Sequence, residues 1–379
     1  MRAQHAVWRE QTGWAGAGEA LDEAQVALAF GARAALADSA LIDDLKARYP
    51  RAHILGCSTG GQIIGDDVSD VGAACLALAF DRTDVAVADA HVEDRTQSFA
   101  AGRDVGVALA RPDLRALFVL SDGLSVNGSE LVAGLRAGAG ETVTITGGLA
   151  GDGADFGATL VHARGRTRQN AVAAVGFYGD ALMVGHGSVG GWSSFGPRRA
   201  ITRSQGPVLY QLDGKPALDL YKAYLGEEAE GLPGSGLLYP LRISNPADPR
   251  QAIVRTILSI DEASGSMTFA GDMPQGWSAQ LMRGDFDRLA AAAEDAAANA
   301  MAPLAALSSQ KAAVMISCIG RRIAMGECIV DEIHAARRAI GTAACTGFYS
   351  YGEISPHEAT GMCELHNQTM TVTTFAERA

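Results

Sequence analysis

The chain has 379 residues, 48% apolar and 20% charged, an ordinary globular mix that excludes the disordered and fibrous classes and gives room for two domains. Lys and Arg number 31 against 43 Asp and Glu, a formal net charge of −12. That balance disfavours nucleic acid and anionic membrane surfaces, whose phosphates must be met by clustered basic side chains. Glycine is the outlier at 45 residues, well above the usual ~7%, and predicts many tight turns and close backbone approaches.

Met1 to Gln11 carries no basic segment followed by an apolar one, so no secretory signal is expected. No apolar run approaches the ~20 residues that a membrane span needs. The six cysteines form no CxxC pair and read as reduced thiols. The expectation is a cytoplasmic protein with no membrane insertion.

Short apolar runs alternate with amphipathic stretches, the pattern of an α/β fold with helices packed on sheets. A small-residue apolar stripe predicts a helix over Asp22–Ala37. Strands are expected at His53–Cys57, Ala73–Phe80, Val85–Val92, Ala116–Ser121, Thr142–Gly147, Thr159–Ala163 and Ala171–Tyr178, with helices near Gln97–Ala110 and Ser129–Ala137. Hairpin-like pairs at 73–92 and 159–178 predict partly antiparallel, mixed sheets. Gly185 to Pro197 is rich in Gly, Ser and Pro and predicts a loop, with a domain boundary near Gly206. The expected domains are thus 1–205 and 206–379, both mixed α/β. Beyond the boundary the pattern predicts a hairpin to Leu212, a helix from Pro216 to Leu225 and strands at Leu237–Ser244 and Ile253–Ile260. An alanine-rich helix follows at Phe286–Met301. Strands at Ala312–Ile319 and Arg322–Glu327, a helix at Ile329–Ala339, and strands at Gly347–Ile354 and Leu365–Phe375 complete the chain. No repeat at a fixed period is visible.

Gly56-Cys57-Ser58-Thr59-Gly60 matches G-x-S-x-G, the turn that presents a nucleophilic serine. That elbow must run into a helix, and residues 61–66 offer no helical pattern. A structural or ligand-facing turn is the preferred reading, with a hydrolase built on Ser58 or Cys57 kept as an alternative. Gly147 to Gly153, which contains Gly148 and Asp152, could present backbone N–H groups to an anion but lacks a P-loop ending. Cys363 and His366 have C-x-x-H spacing, yet residues three apart in a strand face opposite sides and cannot share an ion unless the strand is bulged. His366, Gln368 and Met370 are expected on one face of a strand, with Leu365, Asn367 and Thr369 on the other. Arg321 could clamp a carboxylate or pair with Glu353, and Tyr349 and Tyr351 add polar candidates.

Taken in order, GCSTGGQI (56–63), GGLAGDGADF (147–156), GHGSVGGWSSFGP (185–197), LYQLDGKPALDLYKAYLG (209–226), SCIGRR (317–322), GFYSYGEISP (347–356) and ELHNQTMTV (364–372) resemble the FIST family of sensory proteins, with its N-terminal and C-terminal FIST domains. The resemblance runs from about Ala27 to Phe375. It implies a non-enzymatic ligand-binding input module for signal transduction, with amino acids among the proposed ligands. A bacterial branch, the NosP type, is described as binding haem noncovalently and sensing nitric oxide. It signals through a partner histidine kinase in a two-component system or through cyclic-di-GMP. For that reading His366 and His186 are the candidate ligands for haem iron, His186 because the glycines around it would leave room for a flat macrocycle. The ligand-pocket candidates are Cys57, Ser58, Gly148, Asp152, Arg321, Tyr349, Tyr351, Glu353 and Asn367. A small-molecule, amino-acid-binding sensor is the alternative, and self-association into a homo-oligomer stays open.

Overall fold

The computed structural model describes residues 1–16 and 19–378. Mixed α/β architecture is what it shows, with three sheets of related topology and a fourth sheet inserted into the third. Each of the three units is built around one parallel pair joined by a helical crossover. The pairs are Val26–Gly31 with His53–Ser58, Leu114–Ser121 with Thr144–Leu149, and Ala312–Cys318 with Ala344–Ser350. An antiparallel closing strand lies beside the first member of each pair: Ala73–Ala79, Ala171–Tyr178 and Met370–Glu377. An outer strand follows in each case, Arg2–Arg9, Asp84–His91 and Leu182–Val189.

The far edge of each sheet is supplied by another unit. Residues 161–168 leave the second unit to pair with His53–Ser58 of the first. Residues 352–366 leave the third to pair with Thr144–Leu149 of the second. Residues 62–69 leave the first to pair with Ala344–Ser350 of the third. Three hairpins are thus exchanged in a closed cycle. The insertion, Ser193–Arg283, carries its own nine-stranded sheet and the helix Ala217–Leu225. The expected boundary at Gly206 is the tight turn (φ +51°) between Arg199–Gln205 and Val208–Leu212, inside that sheet.

Gly56, Gly147 and Gly347 sit at matching places in the second parallel strands, and a Cβ on any of them would meet the carbonyl oxygen of Ala29, Val119 or Met315 at 2.8, 1.9 or 1.9 Å. That match sets the equivalences. Leu28, Phe118 and Val314, then Phe30, Leu120 and Ile316, fall at equivalent positions of the first strands and join one buried cluster where the sheets meet. Side chains of alternate residues from three sheets therefore fill a common core.

Several elements differ from the sequence expectation. The Asp22–Ala37 helix is instead the strand Val26–Gly31, buried along its whole length, followed by helices Arg33–Ala37 and Ser39–Arg48. A strand covered on both faces reads as a continuous apolar run, which helical spacing also fits. Arg322–Glu327 belongs to the helix Ile319–Met325 and a following turn. Leu365–Phe375 is broken into Cys363–His366 and Met370–Glu377 by Gln368 in the left-handed region (φ +62°), so His366, Gln368 and Met370 do not share one strand face. Gly185–Val189 is strand, not loop. Gly185 and Gly187 let the helix Phe286–Met301 press close, for a Cβ on them would meet the carbonyls of Ala300 and Ala296 at 1.9 and 2.0 Å. His186 lies between them and alternates to the opposite face.

Candidate functional site

At the carboxyl ends of the parallel pairs the chain closes a ring of backbone hydrogen bonds. The N–H of Gly60 donates to Tyr349 O (2.7 Å), that of Gly151 to Ser58 O (2.9 Å) and that of Tyr351 to Leu149 O (3.2 Å). Donors and acceptors occupy equivalent positions in the three units. This is the end of a parallel sheet where ligand crevices form. Two of the three donors are glycine and the third is Tyr351, so the ring is broken in side chain at one place.

Tyr351 fills the space over Gly151, whose Cβ would lie 3.2 Å from its ring. Its hydroxyl contacts Asp152 Oδ1, accepts the Asp152 N–H at 3.2 Å and lies 3.0 Å from Gly153 O. Burial alone would raise the Asp152 carboxyl. Bonds from Tyr351, from the N–H groups of Ala158 and Gly157, and the charge of Arg33 at 2.7 Å override this and hold it below the usual carboxylate range. Phe156 stacks on Tyr351 with ring centroids 4.8 Å apart. It adopts φ +50° and is 41% exposed, an outlying conformation for a bulky residue.

The Tyr351–Phe156 pair forms a wall of a cleft of about 690 Å³ between the second unit and the inserted sheet. Most of its surface is apolar, from residues such as Val126, Leu149, Leu237, Ile257, Phe269 and Ile319. Polar groups are few. Thr256 is 4% exposed and its hydroxyl has no hydrogen-bond partner among the described residues. Asn127 caps the helix Gly128–Ala139 through Ser129 N and Glu130 N, and its amide donates to Asp272 at 3.0 Å. Arg95 stands at the mouth with two bonds to Leu124 O. Cys318 also lines the cleft, its thiol pushed up by burial. A second cavity of about 650 Å³ on the far side of Asp152 is charged, with Arg33 and Arg322 paired to Asp152 and Asp70.

The other sequence candidates sit in supporting roles. Cys57 is wholly buried and its thiol is raised well above its ordinary value by burial, which leaves little thiolate. Ser58 accepts Leu160 N–H at 2.9 Å and leads through a turn into the strand Gln62–Ile64, not into a helix. Gly148 gives space to Ile316, which its Cβ would meet at 3.0 Å. Arg321 pairs with Glu332 (2.6 Å), not Glu353, and also donates to the carbonyls of Gly190 and Leu289. Tyr349 and Ser317 complete the shell of Glu332. Glu353 is buried and accepts from Ser350 and Thr369. Asn367 donates to the carbonyl of His366, its own oxygen buried without a partner among the described residues. Of the nine pocket candidates, only Tyr351 lines the apolar cleft and only Asp152 the charged cavity. Arg95, Thr256 and Phe156 were not singled out. Only Phe156, trailing the glycine-rich string, carried a local signal.

Haem needs a free imidazole nitrogen facing an apolar cavity. His366 is 5% exposed with its Nε2 3.0 Å from Ser355 O, and burial lowers its pKa to about 3. Neither it nor His186 lines the cleft or the charged cavity. As placed, the Nε2 of His366 is engaged by a backbone carbonyl and is not free for iron.

Comparison with known families places residues 25–215 in the FIST N domain and 217–356 in the FIST C domain. The chain belongs to the FIST family. FIST domains are sensory domains. An uncharacterized protein of Methanocaldococcus jannaschii is 28% identical over 202 residues, covering 49% of this chain and 38% of that protein. Among solved structures, a chorismatase matches at 10% identity and a TM-score of 0.38, over 100% of this chain and 98% of that one. Cyanuric acid hydrolase from A. caulinodans matches at 12% identity and 0.21, over 78% and 100%. Both are too distant to bear on what this FIST protein does. No helix of the described residues is long and apolar enough to cross a membrane.

Proposed function

We propose that this FIST protein is a non-catalytic sensor that takes a small organic ligand into the cleft between Tyr351 and the inserted sheet. The cleft itself carries the reading: its volume suits a small molecule and its walls are mostly apolar. A non-catalytic role is supported by the surroundings of Ser58 and Cys57, since the one is turned into backbone bonding and the other is core. The ligand would touch both the second unit and the insertion, so it can favour one arrangement of the two. A partner that distinguishes those arrangements reads the signal. Family resemblance supports a histidine kinase or a cyclic-di-GMP signalling protein as that partner. For nitric oxide sensed through haem, the two histidines offer no support.

A thermal-shift screen of small acids, amides and amino acids tests the proposal, because a ligand at 100 times its Kd adds about 2.7 kcal/mol. Leu237→Trp should fill the cleft and abolish any hit while the unliganded melting temperature stays near wild type. Undiminished binding in that variant would move the site elsewhere.

A further inference from the structure

Resting on that cleft being the ligand site, we propose further that its ligand is a flat, apolar carboxylic acid. Arg95 holds the carboxylate at the mouth and the ring lies along the Tyr351–Phe156 wall.

Arg95 is an exposed cation whose Nε and Nη2 donate to the Leu124 carbonyl at 3.0 and 2.7 Å. Among the described residues no carboxylate lies within ion-pair distance of it, whereas Arg33 and Arg322 at the neighbouring cavity are both paired. In a chain where Asp and Glu outnumber Lys and Arg by 43 to 31, a guanidinium held in place yet lacking an anion is a place for one to bind. Its planar fork suits a carboxylate. The acidic residues at the cleft set the polarity of approach. Asp272 already accepts from Asn127, and Glu130 stands on the first turn of the adjacent helix, so an acid would be turned toward Arg95. Behind Gly271, the buried Arg255 donates only to carbonyl oxygens, with Asp272 and Glu364 acting on it through space.

Phe156 supplies the second observation. Its aromatic side chain is held at positive φ, a strained conformation for a bulky residue, and is 41% exposed, and its stacking on Tyr351 aligns the two rings as one wall. A planar ligand could stack on or edge against them.

Calorimetric titration of the full chain with 2-naphthoate and with 2-naphthamide tests this. The acid should bind at least tenfold more tightly than the neutral amide. In Arg95→Gln the difference should shrink to about twofold through loss of acid binding alone, with circular dichroism and melting unchanged. Phe156→Ala should weaken both probes. Equal binding by wild type, or an unaltered ratio in Arg95→Gln, would overturn the acid assignment and leave the cleft standing. Failure of both probes to bind would overturn the ligand class. Acid binding that survives Leu237→Trp would remove the cleft itself.

Discussion

Glu353 and His366 stand directly opposite one another on adjacent antiparallel strands, two buried ionisable side chains that burial shifts in opposite directions. Desolvation pushes the Glu353 carboxyl up to about 8 against the bonds from Ser350 and Thr369, and pulls the His366 imidazole down to about 3. Both are held neutral near pH 7, which removes charge from a strand pair that forms the exchanged edge of the second sheet.

The pH dependence of stability follows with its sign. Between its unfolded value near 4.5 and about 8, Glu353 holds its proton in the folded state and loses it on unfolding, so its contribution falls as pH rises. His366 works the other way between about 3 and 6.5, where the unfolded chain binds the extra proton and stability is lost as pH falls. From pH 6.5 to 8 only the Glu353 effect remains of the two. Urea unfolding of Glu353→Gln should show a smaller decline across that window than wild type, and an identical decline would refute the assignment.

The helices Ser98–Leu109 and Gly128–Ala139 touch through reciprocal glycines. A Cβ on Gly102 would lie 2.3 Å from Leu131 O, and one on Gly134 would lie 2.1 Å from Phe99 O. Gly134→Val should force the pair apart and cost about 3 kcal/mol of unfolding free energy, measured by denaturant titration. A change under about 0.5 kcal/mol would mean that the seam is looser than drawn.

Arg321 and Glu332 are a fully buried ion pair. Glu332→Ala strands a guanidinium among carbonyls and should destabilise by about 3–5 kcal/mol, whereas Arg321→Met with Glu332→Leu should recover much of the loss. A double variant as unstable as the single one would show that the bonds to Gly190 and Leu289 matter more than the charge pair.

Hemin added to the full chain is expected to give no saturable Soret shift that depends on histidine. A shift abolished by His366→Ala or His186→Ala would require the strand Cys363–His366 or Leu182–Val189 to open, and would reinstate haem as the ligand.

Much of the fold was legible where a single period dominates. Ala171–Tyr178 and Phe286–Met301 emerge at their expected positions, because a buried strand and an alanine-rich helix ending before Pro303 admit little else. Val26–Gly31 was not legible, since small apolar residues covered on both faces satisfy either period. The three-unit plan was hidden by the insertion at 193–283 and by exchanged hairpins, which lie far from their partners in sequence. The site was legible only through Tyr351 and Asp152. Arg95 acquires meaning from the carboxylate that it lacks among the described residues, its bonds going to Leu124 O, and that is a property of space alone.

The cyclic exchange of hairpins bears on any attempt to dissect the molecule. A fragment ending near residue 215 would leave Thr144–Leu149 without residues 352–366, and its own 62–69 hairpin without a host. The complementary fragment would present Ala344–Ser350 as a naked border. Such borders recruit other chains, so isolated halves should precipitate or entangle with each other, while the two co-expressed pieces should assemble into one particle.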